Sequence, residues 1–330
     1  MNYIGMDVHK RFTYAVVKDE QGNKIKEDKF DNSKENFKNF LQIFAPEETK
    51  IVMESTGVWE YIYNILEELG YSAKLANPVR TKAIAWAKVK TDAVDADTLA
   101  DLLRANLVAE SYVPTKTMRK LREVVRERKT FVKQITQIKN KIHAILTKRG
   151  FRLPTTTLCM KSEIILREEY YDNDVIVHYL NLLTIYRKEI SEIEESIKNI
   201  VNMDHESKLL MTIPGIGCIR AIEIISEIGD VNRFSSSEKL CAYSGLVPSI
   251  SQSGSSLKFG SLVKQSNRIL KNAFIEASWT IVQKKETNFL QEFYKKLAKK
   301  KGKQKAICAT ARKLCSVTYA VLKNNEEFRY

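Results

Sequence analysis

Four carboxylates and a cluster of serines are the side chains best placed to do chemistry in this sequence. Asp7 ends the apolar part of Ile4-Gly5-Met6-Asp7-Val8-His9-Lys10, where an unpaired buried charge is costly. Glu54 ends a second short run, Lys50–Glu54. Asp92 and Asp95 are three apart, so on a helical turn they share a face, which Leu99 and Leu102 continue inward. Capping accounts for one or two outward aspartates at a helix start, but not for a pair aligned with an apolar stripe. Lys10 and Arg11 stand too near in sequence to fold back onto Asp7. A shared divalent cation is the remaining relief, and Mg²⁺ or Mn²⁺ suits all-oxygen ligands. Two such ions about 4 Å apart activate a nucleophile and stabilise a leaving oxygen in phosphoryl transfer. The second chemistry belongs to the serines of residues 249–260. A serine beside Lys and Arg attacks phosphorus when a base or metal activates it, and Ser251, Ser253, Ser255 and Ser256 are all candidates.

The acids need a frame that brings them together. Tyr3–Val8, Phe12–Lys18 and Lys24–Phe30 read as an antiparallel meander, with Asp19–Asn23 as a turn. Ser33 caps a helix to about Phe44. Strand Lys50–Glu54, helix Val58–Leu69 closed by Gly70, strand Tyr71–Ala76 and a helix from Pro78 to about Ala87 follow. Asp92 to Asp97 leads into a helix over Thr98–Asn106. This alternation predicts α/β with the mixed sheet of the ribonuclease-H-like fold. Met118, Leu121, Val125, Val132, Ile135, Ile142 and Leu146 predict a long helix ended by Gly150 and Pro154. Leu183, Tyr186, Ile190, Ile193, Ile197 and Ile200 predict a second, and together they make a coiled-coil arm. The tail, Lys284–Tyr330, reads as helical. The expected organisation is a sheet domain over residues 1–112, an arm over 113–206 and a mostly helical serine-bearing domain over 207–330.

Charge names the partner. The chain has 330 residues and a net charge of +14. Residues 1–110 carry −3 (15 basic, 18 acidic) and residues 111–160 carry +11 (13 basic, 2 acidic). Residues 161–206 carry −6 (5 basic, 11 acidic) and residues 207–330 carry +12 (21 basic, 9 acidic). Two basic blocks on a neutral or acidic frame point to a polyanion. Arg122, Arg126, Lys129 and Lys133 lie on the basic flank of the first long helix. Ile213-Pro214-Gly215-Ile216-Gly217 opens another helix and resembles the turn of helix-hairpin-helix DNA-backbone binders, with Gly215 and Gly217 as a phosphate seat. Lys258, Lys264, Arg268 and Lys271 surround the serine stretch, read as a Ser- and Gly-rich loop before a helix near Leu262. The lysine run 295–305 reads either as a solvated turn between helices or as a nucleic-acid contact. No apolar run reaches the ~20 residues of a membrane span. Five cysteines without paired C-x-x-C spacing favour reduced thiols in a cytoplasm over disulfides or a zinc site.

In this order the motifs resemble the DEDD transposases of insertion-sequence family 110, the bridge-RNA-guided recombinases. The resemblance rests at the front on Gly5–Lys10, Met53-Glu54-Ser55-Thr56-Gly57, Asn77-Pro78 and Lys90–Ala96. At the back it rests on Ile213–Gly217, Ile228-Gly229-Asp230, Arg233-Phe234, Gly245-Leu246-Val247-Pro248 and Ser253-Gly254. It implies a RuvC-like domain with Asp7, Glu54, Asp92 and Asp95 as the metal-binding acids, and Ser253 as the nucleophile. It further implies a phosphoserine link to DNA, Mg²⁺ assistance, and donor and target DNA specified by a noncoding bridge RNA. A homo-oligomer, dimer or tetramer, is implied as well. Gln252 stands where the family usually has a second serine, Ser255 and Ser266 stand for glycines, and Lys271 for arginine. Two other readings compete: a RuvC-like junction nuclease using metal-activated water, and a non-catalytic nucleic-acid scaffold.

Overall fold

The computed structural model describes residues 1–85, 91–153, 158–170, 174–253, 256–284 and 288–329. It falls into two compact units, Met1–Val113 and Pro114–Tyr330.

The first unit starts with β1 (Asn2–Val8), β2 (Phe12–Lys18) and β3 (Lys24–Asp31). Then come α1 (Lys34–Leu41), β4 (Thr49–Glu54), α2 (Trp59–Glu68) and β5 (Ala73–Ala76). Helix α3 (Pro78–Ile84), α4 (Asp92–Arg104) and β6 (Glu110–Ser111) complete it. The six strands form one mixed sheet in the order β3-β2-β1-β4-β5-β6, consistent with a ribonuclease-H-like domain. β1–β3 is the expected antiparallel meander, while β1, β4 and β5 run parallel. Ser33 caps α1 by accepting the Asn36 N–H at 3.2 Å, but the helix stops at Leu41, short of the expected Phe44. Strand β6 is unexpected: two residues pairing antiparallel with β5 are too few to show alternation. Helix α3 ends at Ile84, with Ala85 already extended, short of the expected Ala87; residues 86–90, including Lys90 of the family motif, lie outside the described residues. Strand alternation sorts the two sheet faces. Ile4, Met6, Val8, Ile51 and Met53 pack with α1 and α2. Val52 and Ala76 pack on the other face with Leu99 and Leu103 of α4.

Among its described residues the second unit is helical apart from one hairpin. Helix α5 (Lys116–Lys148) is followed by α6 (Met160–Glu169) and α7 (Val175–Met203). Next are α8 (His205–Met211), α9 (Cys218–Ile228) and α10 (Ser237–Tyr243). Strands β7 (Pro248–Ser253) and β8 (Ser256–Leu262) pair, and α11 (Arg268–Gln283), α12 (Phe289–Lys301) and α13 (Lys303–Asn324) close the chain. Ile138, Ile142 and Leu146 of α5 meet Leu180 and Leu183 of α7, and Val125 meets Ile197 and Val201. The two helices are therefore antiparallel, and Arg128 donates to Glu194 at 2.8 Å across them. Helix α6 is unexpected; it contributes Leu166 to the same core, and its Glu163 accepts from Arg187. α8, α9, α11 and α13 share a core including Leu210, Ile224, Phe274 and Leu314. The Ser- and Gly-rich stretch is not a loop but the hairpin β7–β8, with Ile250 opposite Phe259 and Gln252 opposite Leu257. Its sparse apolar residues serve the pairing rather than a core: Ile250 is 62% and Phe259 66% exposed. The following helix consequently begins at Arg268, not near Leu262. No described helix is long and apolar enough to cross a membrane.

Candidate functional site

The acid site is set by strand register and one glycine. Met6 pairs with Met53 across the parallel ladder of β1 and β4, strands about 4.8 Å apart, so the next residues, Asp7 and Glu54, follow at the same end of the sheet. Both follow the face of Gly5 and Val52, which carries α4. Helix α4 lies directly on β1 there. A Cβ added to Gly5 would stand 2.0 Å from the Ala96 carbonyl oxygen and 2.5 Å from the Ala100 nitrogen. Thr91 caps α4 by accepting the Val94 N–H at 3.2 Å, which places Asp92 and Asp95 in the first turn. Lys18 fastens the helix from β2. Its buried ammonium donates to Asp97 at 2.8 Å and Asp101 at 2.6 Å.

The result gathers Asp7, Asp92 and a residue to which the sequence alone assigns no role, His9. One ligand atom from each lies within 4.8 Å of the others. His9 Nε2 is 3.1 Å from Asp7 Oδ2 and 3.3 Å from Asp92 Oδ1. Lys29 Nζ stands 4.0 Å from the other Asp92 oxygen. Glu54 and Asp95 are not part of this three-residue group, although the ladder and the helix turn bring both to the same end of the sheet. A signal for His9 exists: it stands just past the end of β1, two residues from Asp7, where its ring can reach back to that carboxylate.

The Asp7 side chain is 13% exposed. Burial pushes its carboxyl above the usual range; His9 pulls it down, and Asp95 and Asp92 push it up again. A divalent cation beside it would favour the ionised carboxyl against that burial. Carboxylates suit Mg²⁺ and Mn²⁺, and the imidazole nitrogen is the softer donor of the set.

The serine hairpin is held at its feet. Ser253 ends β7 opposite Ser256; Gly254 and Ser255 lie outside the described residues. At the base, Val263 N–H donates to the Val247 carbonyl at 3.0 Å, and Lys271 Nζ donates to the Val263 carbonyl at 2.9 Å. Asn267 caps α11, accepting the Leu270 N–H at 3.0 Å, while its amide donates to Glu227 at 2.7 Å and to the Tyr243 hydroxyl at 3.3 Å. Glu227 is fully buried on α9 and also accepts both arms of the Arg126 guanidinium, at 2.9 and 3.1 Å. Burial alone would raise this carboxyl, but the Arg126 and Asn267 bonds hold it below the usual range.

This wiring engages part of the expected phosphate-binding set inside the unit. Arg122 donates at 2.5 and 2.9 Å to the Ser226 and Glu227 carbonyls that end α9. Arg126 is bound to Glu227, Lys129 stands 3.5 Å from buried Glu223, and Lys271 is spent on Val263. Their charges satisfy groups inside the unit. Gly215 is a packing position, because a Cβ would stand 2.4 Å from Ile281 and 2.9 Å from the Ala277 carbonyl oxygen of α11. Gly217, at the start of α9, opens on free space. Lys133, Lys258, Lys264 and Arg268 are exposed.

Residues 4–149 match the IS110 family of DEDD transposases, and residues 207–295 match the transposase IS116/IS110/IS902 family. The transposase for insertion sequence element IS1328 of Yersinia enterocolitica is 24% identical over 324 residues, covering 96% of both chains. The transposase for insertion sequence element IS1111A of Coxiella burnetii is 25% identical over 292 residues, covering 84% of this chain and 79% of its own. A pilin gene-inverting protein of Moraxella bovis is 27% identical over 288 residues, covering 84% and 81%. With acids converging at the end of a mixed sheet and a second match over the helical unit, the chain belongs to the IS110 family of DEDD transposases, enzymes that cleave and join DNA.

Proposed function

We propose that this transposase exchanges DNA strands through a covalent link between Ser253 and a DNA phosphate. Asp7, Glu54, Asp92 and Asp95 would hold Mg²⁺ or Mn²⁺, with His9 bridging Asp7 and Asp92. The observation that carries the metal half is the cluster of Asp7, His9 and Asp92 at the strand ends. When bound, the cation supplies positive charge to the phosphate and eases deprotonation of the attacking hydroxyl. Ser253 Oγ forms a bond to phosphorus, and the sugar oxygen of the cut strand leaves with a proton. A sugar hydroxyl from another strand then reverses the step, freeing the serine. The exposed neighbours Gln252, Lys258 and Phe259 support an accessible hairpin. A relative is named a pilin gene-inverting protein, and inversion requires cutting and rejoining, which supports recombination here.

The partners are donor and target DNA, a noncoding bridge RNA specifying both, and further copies of the chain as a dimer or tetramer. Residues 1–112 act as the RuvC-like domain, 113–206 as a coiled-coil arm and 207–330 as the serine-bearing domain. The test is denaturing electrophoresis after incubation with DNA carrying the element ends and with the noncoding RNA transcribed beside the gene. Wild type should give a protein–DNA adduct and Ser253→Ala none. Cleavage without adduct, undiminished in Ser253→Ala, would instead make the chain a RuvC-like junction nuclease using activated water.

A further inference from the structure

We propose that the outward face of α12 and the turn after it grip the phosphate backbone of duplex DNA without reading its sequence. This rests on the DNA-joining activity, not on Ser253 or a guide RNA. The sequence alone suggests a solvated turn for residues 295–305, but the structure puts Lys295, Lys296, Lys299, Lys300 and Lys301 on the helix. Leu290 and Gln291 are buried, and Tyr294, Leu297 and Ala298 half-buried, which fixes the inner face. Lys295, Lys296, Lys299 and Lys300 are exposed and line one shallow groove with Glu292. Lys301, Lys303 and Lys305 carry the strip past Gly302. None of these seven lysines has an ion-pair partner among the described residues.

Such a face costs the free protein stability. Lys295 with Lys299, and Lys296 with Lys300, are like charges four residues apart, about 5–6 Å between Cβ atoms, and each pair destabilises a helix. The helix dipole favours cations in the last turn, which covers Lys299, Lys300 and Lys301 but not Lys295 and Lys296. A polyanion relieves the whole set. Two parallel rows of ammonium groups are point charges, suited to phosphates rather than base edges. Single strands are held by stacking on exposed aromatics. Here the rings turn inward: Tyr294 packs edge-on against Trp279 at 6.1 Å, and Phe293 lies under Lys313 of α13. A helix about 10–12 Å wide also fits beside the open groove of B-form DNA better than the deep, narrow major groove of an RNA duplex.

The test is a salt titration of binding to a mixed-sequence DNA duplex by fluorescence anisotropy. It uses the full chain carrying Ser253→Ala, so that no covalent chemistry enters the reading. Adding Lys295→Gln, Lys296→Gln, Lys299→Gln and Lys300→Gln should flatten the plot of log affinity against log salt by about 0.9 for each phosphate no longer neutralised. The same four positions changed to Arg should restore the slope. Thermal melting checks the fold, and the Gln chain should melt no lower than its parent. An unchanged slope, or no recovery with Arg, overturns the proposal. So does a loss seen with an RNA duplex and not with DNA.

Discussion

The acid site and the serine hairpin solve the same positioning problem by opposite means. In the first unit the acids ride on regular elements. A parallel ladder sets Asp7 beside Glu54, and main-chain packing at Gly5 sets the height of α4 above them. In the second unit a two-stranded hairpin with exposed apolar residues has little stability of its own. Side-chain bonds around buried Glu227 hold its feet instead. The first site should therefore be sensitive to backbone space, the second to the loss of one charge.

The largest effect expected follows from Gly5→Ala. Its methyl meets main-chain atoms of α4 that cannot rotate away, so the first unit should lose about 3 kcal/mol or more in denaturant unfolding. An unshifted midpoint would mean that α4 does not rest on β1. Glu227→Gln should cost the second unit roughly 3 kcal/mol, the low end for a broken buried pair because Arg126 keeps half its surface in water. This loss depends on pH. The folded Glu227 carboxyl titrates below its unfolded counterpart, so its contribution is complete above about pH 4.3 and drains away as pH falls through the folded value. The gap between wild type and Glu227→Gln should narrow in acid; a gap that widens would refute the ion-pair account. Next, Mn²⁺ at a hundredfold excess over its dissociation constant should stabilise wild type by about 2.7 kcal/mol, and Asp7→Asn should abolish that gain. A full Mn²⁺-dependent shift in Asp7→Asn would remove Asp7 from the site. The smallest effect belongs to Gly260→Ala on β8. Its methyl meets only the hydroxyl of exposed Ser249, and stability should stay within about 0.5 kcal/mol.

The same contrast explains what can be read from sequence. β1 and β2 are legible as short apolar runs because both of their faces are largely covered, and Ser33 and Pro78 announce their helices, so the acid-bearing frame is legible. His9 escapes notice although its spacing from Asp7 is visible. The hairpin reads as a loop because Ile250, Leu257 and Phe259 are too few among serines and glycines to show a period of two. The inward role of Arg122 and Arg126 is beyond sequence reasoning. A basic flank looks the same whether its partner is phosphate or a glutamate about a hundred positions away, and only tertiary packing reveals Glu227.

Asn267 has one end of its amide on the first turn of α11 and the other on Glu227 and Tyr243. The segment leading from the hairpin into α11 is thus geared to a helix start. Movement that reaches the hairpin's base is passed on to α9 and α11.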